Sequence, residues 1–197
     1  MAENLTFDAE GQEGGPYHSR ELHVPGPTSG LTIGRGYDMK RRSADAVRQD
    51  MIDAGLDQAA AAMLAQAAGL SGDQAEQFIE DNDLEDFEIS PEVQQALFDI
   101  EYERQLRDTR RLATKPDVVR VYGETDWDAL NPVIREVLVD LRFRGDYTPA
   151  CRKFLQVHVA NNDLVAFAGE IGNRDRWPRV PVDRYARRRS LCETALT

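Results

Sequence analysis

Long hydrophobic runs are missing from this 197-residue chain. No apolar stretch approaches the roughly 20 residues that a membrane helix needs, which argues against an integral membrane segment. Cysteine is scarce. Cys151 and Cys192 are the only two, with neither metal-type pairing nor a disulfide framework. They read as buried structural thiols, a disulfide between two C-terminal helices being the alternative. The three histidines, His18, His23 and His158, lack metal-ligand spacing with one another, so no metal and no cofactor is expected. The first fifteen residues have no basic n-region and no apolar h-region. The expectation is therefore synthesis in the cytoplasm without a signal peptide, any outside action depending on another system. Positive charge is also in short supply, the net charge being -11. That excludes electrostatic binding of nucleic acid by the molecule as a whole.

What is present fits a soluble protein with one real core. Apolar residues make up 41% of the chain and charged residues 30%, with a mean hydropathy of -0.55. The charge is uneven. Residues 131–197 hold 12 Lys and Arg against eight Asp and Glu, whereas residues 1–130 hold 12 against 27. Seven of the arginines fall between Gly172 and Ser190. This segment suits either a polyanion such as peptidoglycan or a salt-bridged helix face.

Seven of the 14 glycines and three of the nine prolines lie in the first forty residues, which predicts loop and short hairpin there. Gly30 to Tyr37 alternates apolar and small residues around Thr32 and Ile33, as a short strand or hairpin would. Helices follow. Ser43 is a predicted cap for a helix to about Ala54, ended by Gly55. Asp57 to Ala68 reads as helix, and Ser71 as the cap of another reaching about Glu80. Ser90-Pro91 starts a helix to about Leu112. Asp126 to Leu130 reads as a turn. Asn131-Pro132, Thr148-Pro149, Asp163 and Pro181 or Val182 begin four more helices. The fold class is mainly α, with a small β-containing N-terminal lobe. A single domain over 1–197 is expected, with lobes at about 1–56 and 57–197.

The chemically informative stretch is Ala9 to Met39, where acids sit in glycine-rich loop ahead of Thr-Ile-Gly-x-Gly. Glycosidic cleavage needs a carboxylic acid that protonates the leaving oxygen and a second group that stabilises positive charge or positions water. By composition alone, any one of these glutamates reads first as a solvated charge.

Glu10-Gly11, a loop, then Ser29-Gly30-Leu31-Thr32-Ile33-Gly34-Arg35-Gly36-Tyr37-Asp38 resembles the active-site segment of T-even-phage-type lysozymes, and more closely their pesticin-like branch. Leu31 and Met39 stand where that branch has valine and leucine. The C-terminal part is similar to the same family. Asn131-Pro132 to Gly145 resembles its core helix and glycine turn, and Trp177 to Glu193, with Pro181, Arg184, Arg188 and Arg189, its arginine-rich closing helix. Residues from about 57 to 127 match only as helices.

The resemblance implies an α+β lysozyme-like fold, with a helical bundle and an active-site cleft between lobes. The implied activity is hydrolysis of the β-1,4 bond between N-acetylmuramic acid and N-acetylglucosamine in peptidoglycan. Glu10 takes the general-acid position, Glu13 being the rival, and Thr32 matches the threonine that holds the attacking water. The family's intervening aspartate has no counterpart between Gly11 and Gly36. Glu21 is the candidate second acid, with His23 or Ser19 as alternatives for polarising the water. Direct attack inverts the anomeric centre and needs carboxyl separations of roughly 6.5–9.5 Å.

Tyr37 and Asp38 complete the Gly-Tyr-Asp element and read as structural. Tyr37 is also counted, with Glu13 and Arg184, among residues that meet substrate. Arg184 reads either as reaching the acid or as an exposed helix arginine. Asp81 to Glu92 superficially matches a calcium loop, but Asp86 stands where the turn needs glycine. The expected partners are peptidoglycan strands and an immunity or delivery protein, the protein being a monomer that acts in the periplasm or cell wall. Two other functions fit the sequence: an inactive lysozyme-like binding module, and a hydrolase of chitin or chitosan.

Overall fold

Local signals set most of the elements in the computed structural model, which describes residues 5–14 and 18–197. The readings of loop at residues 15–17 and of the extreme N-terminus lie outside the described residues. The chain is mainly α: among the described residues, 61% are helical and there is one two-stranded antiparallel sheet. A short helix, α1 (Leu5–Glu10), opens the described chain where sequence gave only a loop-rich region. Strands β1 (Thr32–Ile33) and β2 (Tyr37–Asp38) pair with Thr32 opposite Asp38 and Ile33 opposite Tyr37. The turn between them uses Gly34 at φ 62° and Gly36 at φ 85°. Glycine populates that left-handed region without a Cβ penalty.

The caps explain the helices that follow. Ser43 accepts from the Ala46 amide at the start of α2 (Ala44–Asp53), and Asp57 accepts from Ala59 and Ala60 ahead of α3 (Gln58–Leu64). A 3-10 turn, Ala65–Ala67, prolongs α3. Ser71 is not the next cap. Gly72, at φ 53°, precedes α4 (Asp73–Asp81), and a Cβ there would stand 2.4 Å from the Pro27 carbonyl oxygen. The backbone approach, rather than a hydroxyl, therefore sets this start. Ser90 Oγ accepts from Val93 at the head of α5 (Pro91–Thr114).

The sequence reading does not include α6 (Pro116–Tyr122): Pro116 stands at its first turn, but Lys115 ahead of it supplies no side-chain cap. Helices α7 (Pro132–Arg144), α8 (Pro149–Ala160) and α9 (Leu164–Gly172) start on Asn131, Thr148 and Asp163, each of which caps through its side chain. The last helix is α10 (Val182–Thr194). No helix among the described residues is long and apolar enough to cross a membrane.

The chain divides into two compact units, one of residues 1–9 and 102–197, the other Glu10–Glu101. The division falls within α5, so residues 57–101 belong with the hairpin region. The first unit has a core of Ile134, Val137, Leu138, Leu141, Leu155, Val159 and Phe167, with Trp127 and Trp177 5% exposed. Cys151 and Cys192 are buried there as free thiols. Burial pushes both thiols up to about 12, which keeps them protonated and unreactive. In the Glu10–Glu101 unit, Leu31, Ile33, Tyr37 and Met39 of the hairpin region pack with Val47 and Met51 of α2, Leu64 of α3 and Leu97 of α5. Each fully buried side chain of this kind contributes about 1.5–3 kcal/mol, which seats a sheet of only four residues.

Candidate active site

Glu10 is the last residue of α1 and is half-buried. The chain then passes through Gly11, where space is the constraint. A Cβ on Gly11 would lie 2.7 Å from Arg35 Cγ and 2.9 Å from Ser19 Oγ. Arg35 sits between the two glycines of the hairpin turn and is 7% exposed. Its Nη1 donates to the Gly11 carbonyl oxygen at 2.9 Å. The Glu-Gly element and the hairpin, 24 residues apart, are thus held together by one guanidinium.

Glu13 has a different environment. Its carboxylate accepts from Gln94 Nε2 at 2.6 Å, Arg20 Nε at 2.9 Å and Arg35 Nη2 at 3.3 Å. Desolvation raises its pKa, but the hydrogen bonds from Gln94, Arg20 and Arg35 outweigh it and hold the group below its usual 4.5. Glu13 is therefore an anion near neutral pH. The contact with Gln94 spans 81 residues, so no local pattern announced it.

Thr32 is 5% exposed, and its hydroxyl donates to the Gly30 carbonyl oxygen at 3.1 Å. On the side of β1 away from β2, His23 exchanges both backbone hydrogen bonds with Thr32, at 3.0 and 2.9 Å. Residues paired in this way project their side chains to the same face. Along the extended run from 21 to 23, Leu22 points into the core, so Glu21 and His23 take the opposite face by alternation. Glu21, His23 and Thr32 therefore share a face, with Glu21 exposed and His23 half-buried. Ser19, the other alternative, is 3% exposed. Its hydroxyl lies 2.9 Å from the Gln12 carbonyl oxygen and 2.8 Å from Gln94 Oε1, which marks it as a structural tie.

Ligand atoms of His18, Glu21 and Glu88 lie within 4.8 Å of one another. Sequence spacing concealed this grouping, since Glu88 is 70 residues from His18. The donor chemistry favours an ion-pair cluster over a metal centre. His18 Nδ1 accepts the Gly14 amide at 2.7 Å, which leaves the ring proton on Nε2, 3.1 Å from Glu88 Oε1. Arg20 pairs with the same Glu88 oxygen.

Tyr37 is 1% exposed. Its hydroxyl donates to Asp50 Oδ2 on α2 at 2.6 Å, with the Arg42 guanidinium 4.2 Å from the ring centre. Asp38 accepts from the Gly30 and Lys40 amides at 3.2 and 2.7 Å. Both residues tie the hairpin down. In the other unit, Arg184 is 6% exposed and bonds Asp140 Oδ1 at 2.6 Å, so it is not the exposed helix arginine that was one of its two readings. Trp177 donates its indole N–H to the Glu170 carbonyl oxygen at 2.9 Å and lies in the core.

A family model described as a domain of unknown function, DUF8812, matches residues 3–189. The chain belongs to that family. No curated protein matches it. The DUF8812 match takes in Glu10, the hairpin and Arg184 together.

Proposed function

We propose that this DUF8812 protein is a peptidoglycan muramidase. The observation that carries the reading is the clamp from Arg35 to Gly11, which fixes the Glu10-Gly11 element against the hairpin bearing Thr32. The likeness of these two elements to T-even-phage-type and pesticin-like lysozymes, described above, supports the same reading. Glu10, in its protonated form, gives its proton to the leaving glycosidic oxygen. Water attacks the anomeric carbon, and its surplus proton passes to Glu21 or His23. Thr32 orients that water, since a hydroxyl that donates to Gly30 still has lone pairs to accept from a water. Glu13, already anionic and triply bonded, serves as a scaffold. The proposed fold is the lysozyme-like one, and the proposed site of action is the cell wall, reached by delivery or lysis.

The test is a zymogram on purified peptidoglycan beside chitin, with the products followed by NMR. Cleavage of peptidoglycan with inversion is the expected result. Glu10→Gln should fold and lose about 10²–10⁴-fold in rate, whereas Glu13→Gln should keep measurable activity. A dead Glu13→Gln beside an active Glu10→Gln would move the acid to Glu13. The Thr32 hydroxyl bond to Gly30 favours one second reading, an inactive lysozyme-like binding module. Binding to peptidoglycan without cleavage of either polymer would establish that reading instead.

A further inference from the structure

We propose that Arg35 is a positioning residue for Glu10, a role that rests on the muramidase reading. Arginine is costly to bury, and a residue 7% exposed in a two-glycine turn calls for a reason beyond hairpin formation. Any residue that tolerates the turn would satisfy the hairpin itself. What arginine adds is a planar fork with several donors in fixed directions. One arm, Nη1, bonds the Gly11 carbonyl oxygen at 2.9 Å. Another, Nη2, reaches Glu13 Oε1 at 3.3 Å.

Both acceptors lie within three residues of Glu10 along the chain, so the two arms hold the segment that carries the acid. The stem lies so close to Gly11 that no side chain fits there. Arg35 is three residues from Thr32 on the same hairpin. The same turn thus holds the segment of the acid at one end and the water-orienting hydroxyl at the other. Glu13 neutralises the buried guanidinium and is braced in turn by Gln94 and Arg20.

A positioning role is a statement about kcat. Misplacing a reacting group by about 1 Å costs on the order of 10²-fold in rate, with little effect on ground-state binding. Arg35→Met keeps the stem against Gly11 and removes the donors. Arg35→Lys restores the charge and one donor. Both are compared with the wild type for kcat and KM on soluble peptidoglycan fragments, with the folded fraction measured by circular dichroism.

The expected result is a kcat lower by about 10²-fold in Arg35→Met, KM within about threefold of wild type, and partial recovery of about tenfold in Arg35→Lys, whose kcat stays about tenfold below wild type because only one of the donors is restored. A kcat within threefold of wild type in a folded Arg35→Met would overturn the inference. So would a loss that follows the folded fraction, or one that lysine does not relieve. If Arg35→Met does not fold, a folded Arg35→Lys decides: lowered kcat at unchanged KM supports the role, and wild-type kcat removes it. An inactive wild type would instead sink the muramidase reading and the inference with it. An active wild type with an indifferent Arg35 sinks the inference alone.

Discussion

Two glutamates three residues apart illustrate how environment, not sequence, assigns roles. Glu10 ends a helix beside a glycine, and Glu13 lies in a loop where three donors converge on it. A general acid must hold its proton near neutral pH, and Glu13 is pushed the other way. Its folded pKa lies below 4.5, so its contribution to stability is present above about that pH and is lost as pH falls through the folded value. Half its side chain is exposed, so solvent screening keeps the effect modest. The thermal midpoint of wild type should exceed that of Glu13→Gln at pH 7, and the gap should close below about pH 4.5. A gap constant from pH 7 down to pH 3 would mean that the anion is not what the three donors hold.

Among the elements, the hairpin was legible because its cues are local: β-branched residues between glycines, in the right order. Six of the helix starts were legible for the same reason, each marked by a capping side chain or a proline at the first turn. Helix α6 was missed although Pro116 stands at its first turn, because Lys115 ahead of it supplies no side-chain cap, and Ser71 misled because Gly72 makes its approach to Pro27 through the backbone. Of the candidate site, the Glu10-Gly11 and Thr32 elements were readable as a motif. Arg35, Gln94 and Glu88 were not, since their partners lie 24, 81 and 70 residues away. The hairpin itself makes a sharp prediction at Gly30. A Cβ there would fall 2.3 Å from Asp38 Oδ1 and 2.7 Å from the Lys40 amide nitrogen. The amide must yield or the chain must shift, which breaks the Asp38 bonds to Gly30 and Lys40. Gly30→Ala should cost about 1–3 kcal/mol, the range for overpacking, read as a lower denaturant midpoint by far-ultraviolet circular dichroism. An unchanged midpoint would show that the Gly30 carbonyl and Thr32 hydroxyl tolerate displacement.

For the molecule as a whole, the unit built from residues 1–9 and 102–197 depends on a buried charge network that its arginine-rich sequence only hinted at. Asp140 of α7 is fully buried and bonds Arg184 at 2.6 Å and Arg188 at 2.5 Å, both from α10. Arg188 also reaches Asp146 at 3.0 Å, and Arg144 meets Asp146 at 2.6 Å. The arginines of α10 are therefore of two kinds, with Arg184 and Arg188 spent on the core and Arg187 and Arg189 facing solvent. Removing one member of a buried pair leaves an uncompensated charge and costs about 3–5 kcal/mol. Asp140→Ala leaves Arg184 and Arg188 without their shared acceptor. Asp146 is partly exposed, and its loss leaves Arg188 still bonded to Asp140. Asp140→Ala should therefore destabilise by about 3–5 kcal/mol and Asp146→Ala by clearly less. Both tryptophans of the chain, Trp127 and Trp177, belong to this unit's core, so tryptophan fluorescence reports on it directly. At about 4–8 °C for each kcal/mol in a unit of this size, the difference between the two variants is well within reach of a melting curve. Equal midpoints for Asp140→Ala and Asp146→Ala would show that α10 is held by its apolar contacts, with the buried carboxylate contributing no more than the partly exposed one.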